Sequence, residues 1–202
     1  MAAGRSSSTH AIVAGAALAA YVVAGAAVVG LVTIGLFLWI GQPWGTINNL
    51  ALLIMTLALA PLMLAFYELG GWTPTPLARL AQASGWIAVV IWSVIQALMI
   101  TGVVTFDHRH AATGVFALQT VALIVIGLWV AGANLLAGAW LSWVRWLGVL
   151  CGLGFVVLGI GLLAGGVDHP LTYLGGIGYE LVLPTWAFLM ARLLGVLSRS
   201  DL

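Results

Sequence analysis

Residues 172–197 read TYLGGIGYELVLPTWAFLMARLLGVL, and this run decides what kind of protein the chain is. As a helix it is about 39 Å long, enough to cross a hydrocarbon layer of about 30 Å. It carries one carboxylate, Glu180, well inside it. Pro184 follows one turn later, and the run opens with Gly175, Gly176 and Gly178. An ionisable group within a span is costly and by default marks a functional site.

Five more apolar runs precede it. Spans are expected over about 11–40, 50–69, 85–106, 114–136, 146–165 and 172–197. The expected fold is therefore all-α: a polytopic membrane bundle of six transmembrane helices in a single domain, 1–202. Composition agrees, because only 5% of the 202 residues are charged and 63% are hydrophobic, against about 25% charged in a soluble domain. The run 11–40 exceeds the apolar stretch of a secretory signal, so it is expected to stay as a helix. Pro61 lies inside the second span and is expected to kink it. The polar connection 70–84 is expected to contain a short interfacial helix over 77–83.

The charges that remain set the orientation. Counting helix ends alternately, Arg5, Arg79, Arg145, Arg192 and Arg199 fall on one side, and Arg109 falls on the other with Asp107 and Asp168. Arginine-rich connections stay in the cytoplasm, so both termini are expected there, in a cell membrane of the bacterial inner-membrane type. Tryptophans at span ends, such as Trp39, Trp44, Trp143 and Trp146, read as interfacial anchors. Trp92, Trp129 and Trp186 lie deeper.

Absent residue types close several routes. All six Lys+Arg residues are arginines, so a lysine Schiff base and a P-loop are both excluded. One cysteine, Cys151, forms neither an internal disulfide nor a cysteine metal cage. A net charge of +1 offers no footprint for nucleic acid.

Two constellations carry chemistry. The turns on the non-arginine side hold Asp107, His108, His110, Asp168 and His169. Imidazole and carboxylate suit a divalent metal, and histidine also ligates haem iron. The other constellation centres on Glu180, about 13 Å along its helix from Leu171. Gly176, Glu180, Leu183, Ala187 and Ala191 share a stripe of mostly small residues, which faces other helices rather than lipid. No arginine is expected at that depth, so the carboxyl is expected in its neutral form. Counting inward along their spans, Gln119 and Thr101 reach a similar level, with Gln96 deeper, as hydrogen-bond partners. Pro184 has no N–H, so the carbonyl of Glu180 loses its helical donor. A carboxyl and a free carbonyl at one level would make an intramembrane polar niche of the kind transporters use.

The segment GGIGYELVLPTWAFLMARLL, with its glycine start, mid-span proline and arginine exit, resembles the last span of uncharacterised bacterial six-helix integral membrane proteins rich in Ala, Gly, Leu and Trp. The resemblance implies the layout of a multi-pass membrane protein and carries over no functional residue.

The chain is thus expected to be non-enzymatic. It would be a small transporter-like protein for a proton, cation or small solute, or an accessory subunit of a larger membrane complex. Its partners would be the lipid bilayer and a membrane protein or further copies of itself. No cofactor is expected on this reading. The alternative is a membrane redox or metal-dependent protein that uses the outer His/Asp turns with haem or a divalent metal.

Overall fold

The computed structural model describes residues 3–69, 75–105, 114–136 and 141–199. Six α-helices account for almost all of them: α1 (Ala3–Ile40), α2 (Trp44–Leu69), α3 (Pro76–Ile100), α4 (Gly114–Leu136), α5 (Ser142–Gly165) and α6 (Pro170–Leu197). One 3₁₀ turn, Gly166–Asp168, joins α5 to α6. All six are long and apolar enough to cross a membrane. Their outward faces carry exposed leucine, valine, isoleucine and tryptophan, which suits contact with lipid rather than water.

Several helices start earlier than their apolar runs. Thr75 accepts from the Ala78 N–H at 3.2 Å and Pro76 takes the first helical position, so α3 begins there. Residues 77–83 are therefore the first turns of α3, and the expected separate interfacial helix is not formed. Likewise α2 begins at Trp44, with Gly45 pressed against the Phe37 ring of α1. Helix α2 continues through Pro61, and α6 continues through Pro184. At its far end α3 stops six residues short of the expected boundary. Thr101 caps it, and Gly102 turns the chain away at φ +74°, a conformation that glycine adopts without strain.

The helices form a ring. Each packs on its neighbours in sequence, and α1 closes the circle against α6. Small residues set how closely they approach. Ala16, Ala20, Ala24 and Ala27 bury the inner side of α1. On α5, Gly148 and Gly152 face α4, where a Cβ on Gly152 would meet Gly127 O and Ala131 N. The opposite face of α5 uses Gly154 and Gly161 against α6, and Gly175 of α6 sits on the Leu158 backbone. These are backbone-to-backbone contacts of the small-residue type that holds helices together in lipid.

Candidate functional site

Large side chains fill the half of the bundle nearer the arginines. Phe66 of α2 stands edge-on to Trp129 of α4, with ring centroids 5.8 Å apart, and lies 6.3 Å from Trp186 of α6. Each of these tryptophans ends on a side-chain amide. Trp186 Nε1 donates to Asn134 Oδ1 at 3.2 Å, and Asn134 Nδ2 donates to the Val130 carbonyl at 2.9 Å. Trp129 Nε1 donates to Gln82 Oε1 at 3.1 Å, and Gln82 Nε2 donates to the Met63 carbonyl at 3.2 Å. The amide groups thereby tie α6 to α4, and α3 to both α2 and α4. Indole N–H groups in apolar surroundings need such partners, and here they have them.

The other half is filled as well, by Met55, Phe155 and Tyr179, but one face of α3 differs. On α3, Trp92, Ser93 and Gln96 are 5%, 8% and 1% exposed. Trp92 Nε1, Ser93 Oγ and Gln96 Oε1 are all buried with no hydrogen-bond partner among the described residues. Their spacing of i, i+1 and i+4 puts them on one side of the helix, within an arc of about 100° and about 6 Å of helix rise. That face continues through Val89 to Gly85, where a Cβ would come within 2.8 Å of Trp129 Cδ1. The aromatic cluster therefore closes the stripe on the arginine side. An orphaned buried donor or acceptor costs about 1–3 kcal/mol, and native interiors hold few of them. Three such atoms lie within five residues on α3.

Glu180 stands apart from that stripe. It is half-buried on α6, whose close neighbours are α1 and α5, whereas Gln96 and Thr101 belong to α3 and Gln119 to α4. Among the described residues no side chain hydrogen-bonds to the Glu180 carboxyl. Thr101 is exposed and donates to carbonyls of its own helix, to Ala97 at 3.0 Å and Leu98 at 3.1 Å. Gln119 is half-buried. The structure thus does not gather the four residues into one hydrogen-bonded niche: α3 has ended at Ile100, so Thr101 sits at its cap, and Gln96 and Gln119 lie on α3 and α4, whereas Glu180 lies on a helix packed mainly on α1 and α5. Beside Glu180, Tyr179 is buried; its hydroxyl donates to Met55 Sδ at 3.4 Å and its ring lies 4.3 Å from that of Phe155.

In the polar turns, His169 accepts from the Leu171 N–H through Nδ1 at 3.2 Å and caps α6, and Asp168 is exposed. Asp107, His108 and His110 lie outside the described residues. Among the described residues no three histidine, cysteine or acidic side chains form a metal-binding group.

No family model, curated protein or solved structure matches the chain.

Proposed function

We propose that the chain is a small, non-enzymatic transporter-like protein that admits a small solute into the bundle from the face opposite the arginines. The observation that supports this most is the α3 stripe: Trp92 Nε1, Ser93 Oγ and Gln96 Oε1, buried and without partners among the described residues. A purely structural interior of this size would be expected to pair such groups, as it pairs Trp129 and Trp186. The test is reconstitution of the purified chain into liposomes, with influx of small neutral solutes, protons and sodium compared with protein-free vesicles. Flux of any of these above the protein-free rate supports the proposal. Its absence for all of them removes it.

One observation favours the second reading, an accessory subunit or homo-oligomer. Gly15 and Gly25 lie exposed on the outer face of α1 with Leu18, Val22 and Val29, and a Cβ at either glycine would meet nothing within 4 Å. Such a face allows another helix to approach closely. Cross-linking in native membranes from this face distinguishes the two readings.

A further inference from the structure

We infer that the solute handled by this bundle is neutral and carries both a hydrogen-bond donor and an acceptor, and that Trp92, Ser93 and Gln96 of α3 bind it. This rests on the transport reading above and narrows it to one ligand class at one site. The three free atoms divide by chemistry. Trp92 Nε1 only donates, Gln96 Oε1 only accepts, and Ser93 Oγ does both. A bare cation needs a shell of oxygens and would be opposed by the indole N–H. An anion needs several donors or a positive charge and would be opposed by the amide oxygen. A solute such as urea, a small carboxamide or a polyol presents both kinds of group to such a row.

Among the described residues the surroundings carry no charge that would change this assignment. The flanking helices are α2 and α4. In α4 there is no charged side chain, and in α2 there is only Glu68, in its last turn at the arginine end. Within α3 the only charge is Arg79, in the first turn and exposed. Glu180, the one carboxylate deep within a span, belongs to α6, which packs on α1 and α5. Charged solutes pay heavily for entering a bundle without a counter-charge, whereas a neutral one has its lost water contacts replaced by the three free groups. The α3 helix also packs more sparsely on its neighbours than the other helices do, which suits an element that must yield for a solute to pass.

The experiment uses proteoliposomes of the full chain and follows osmotic re-swelling by light scattering with urea, acetamide and glycerol. The wild type is expected to re-swell several-fold faster than protein-free vesicles. Gln96→Met, Ser93→Ala and Trp92→Phe are each expected to slow this about tenfold, the change one lost hydrogen bond produces. Melting temperature supplies a second readout. Removing an unpartnered buried oxygen does not destabilise, so Ser93→Ala is expected to melt at or above the wild-type temperature. Glu180→Gln is expected to leave neutral-solute flux unchanged. Flux that persists in all three α3 variants overturns the site and leaves the transport reading standing. Proton or sodium flux abolished by Glu180→Gln, with no flux of neutral solutes, overturns the ligand class and again leaves transport standing. No flux of any solute removes both.

Discussion

Trp186 of α6 donates its indole N–H to the side-chain oxygen of Asn134 on α4, 3.2 Å away across the ring. Asn134 is held from behind by Gly148 of α5, where a Cβ would overlap its amide group. The hydrogen bond and the glycine together bring three helices to one point. Trp186→Phe removes the donor and keeps most of the ring, and Asn134→Leu removes the acceptor at similar volume. A double-mutant cycle on melting in detergent is expected to give a coupling of about 1 kcal/mol, in the range of interhelical hydrogen bonds in membrane proteins. Additive single losses would show that the two residues stabilise the bundle separately.

Gly175 and Gly176 are neighbours with opposite duties. A Cβ on Gly175 would strike the backbone of Leu158 on α5, whereas one on Gly176 meets nothing within 4 Å. Gly175→Ala is expected to force α5 and α6 apart and to cost about 1–3 kcal/mol. Gly176→Ala is expected to be neutral or slightly stabilising, because alanine is the better helix former. Thermal melts of the two variants, purified side by side, check this contrast. Equal melting temperatures would mean that the α5–α6 seam is looser than its geometry.

This pair also shows what was legible in the chain. Six spans are plain from apolar length alone, and α4 runs over 114–136 as its hydrophobic run predicts. That Gly148, Gly152 and Gly161 serve close packing is readable from their spacing. Which neighbour each glycine faces is not, because one helix shows small residues on several sides. The same limit governs the candidate site. Depth can be counted only from expected span ends, which put Glu180, Gln119 and Thr101 at similar levels, but α3 ends at Ile100 and leaves Thr101 at its cap, and which helices share a seam cannot be counted at all. The earlier start of α3 was written locally, in Thr75-Pro76, a cap followed by a first-turn proline. His169-Pro170 repeats that device at α6. The stripe of Trp92, Ser93 and Gln96 had a signal too, polar side chains at i, i+1 and i+4 within an apolar run. What the sequence lacks is any sign that these three would be left unpaired while Gln82 and Asn134 found tryptophans.

Orientation gives a separate prediction. Arginines at 79, 145, 192 and 199 crowd one end of the bundle, and that end is expected to face the cytoplasm. Cys151 is buried and can be replaced by alanine to leave a background free of thiols. A cysteine introduced at exposed Thr105, beyond the end of α3, is expected to react with a membrane-impermeant maleimide in intact cells. One at exposed Ser142, the first residue of α5 at the arginine end, is expected to react only after permeabilisation. The reverse pattern would invert the proposed direction of solute entry, since the α3 stripe lies in the half away from the arginines.

Glu180 gives the sharpest contrast between cost and use. A carboxyl deep in a span is expensive, and the helix around it has lost a bond as well, because Pro184 supplies no N–H to the Glu180 carbonyl. Yet no described side chain binds the carboxyl. If it held register between helices, its removal would expose an unmet partner and cost about 1–3 kcal/mol. With no described side chain bound to it, Glu180→Gln keeps shape and polarity and is expected to change stability by less than about 0.5 kcal/mol. Glu180→Leu, which removes the polar group from the membrane altogether, is expected to raise the melting temperature. Melts of both variants in the same detergent decide the matter. A clear loss in Glu180→Leu would show that the carboxyl has a structural partner.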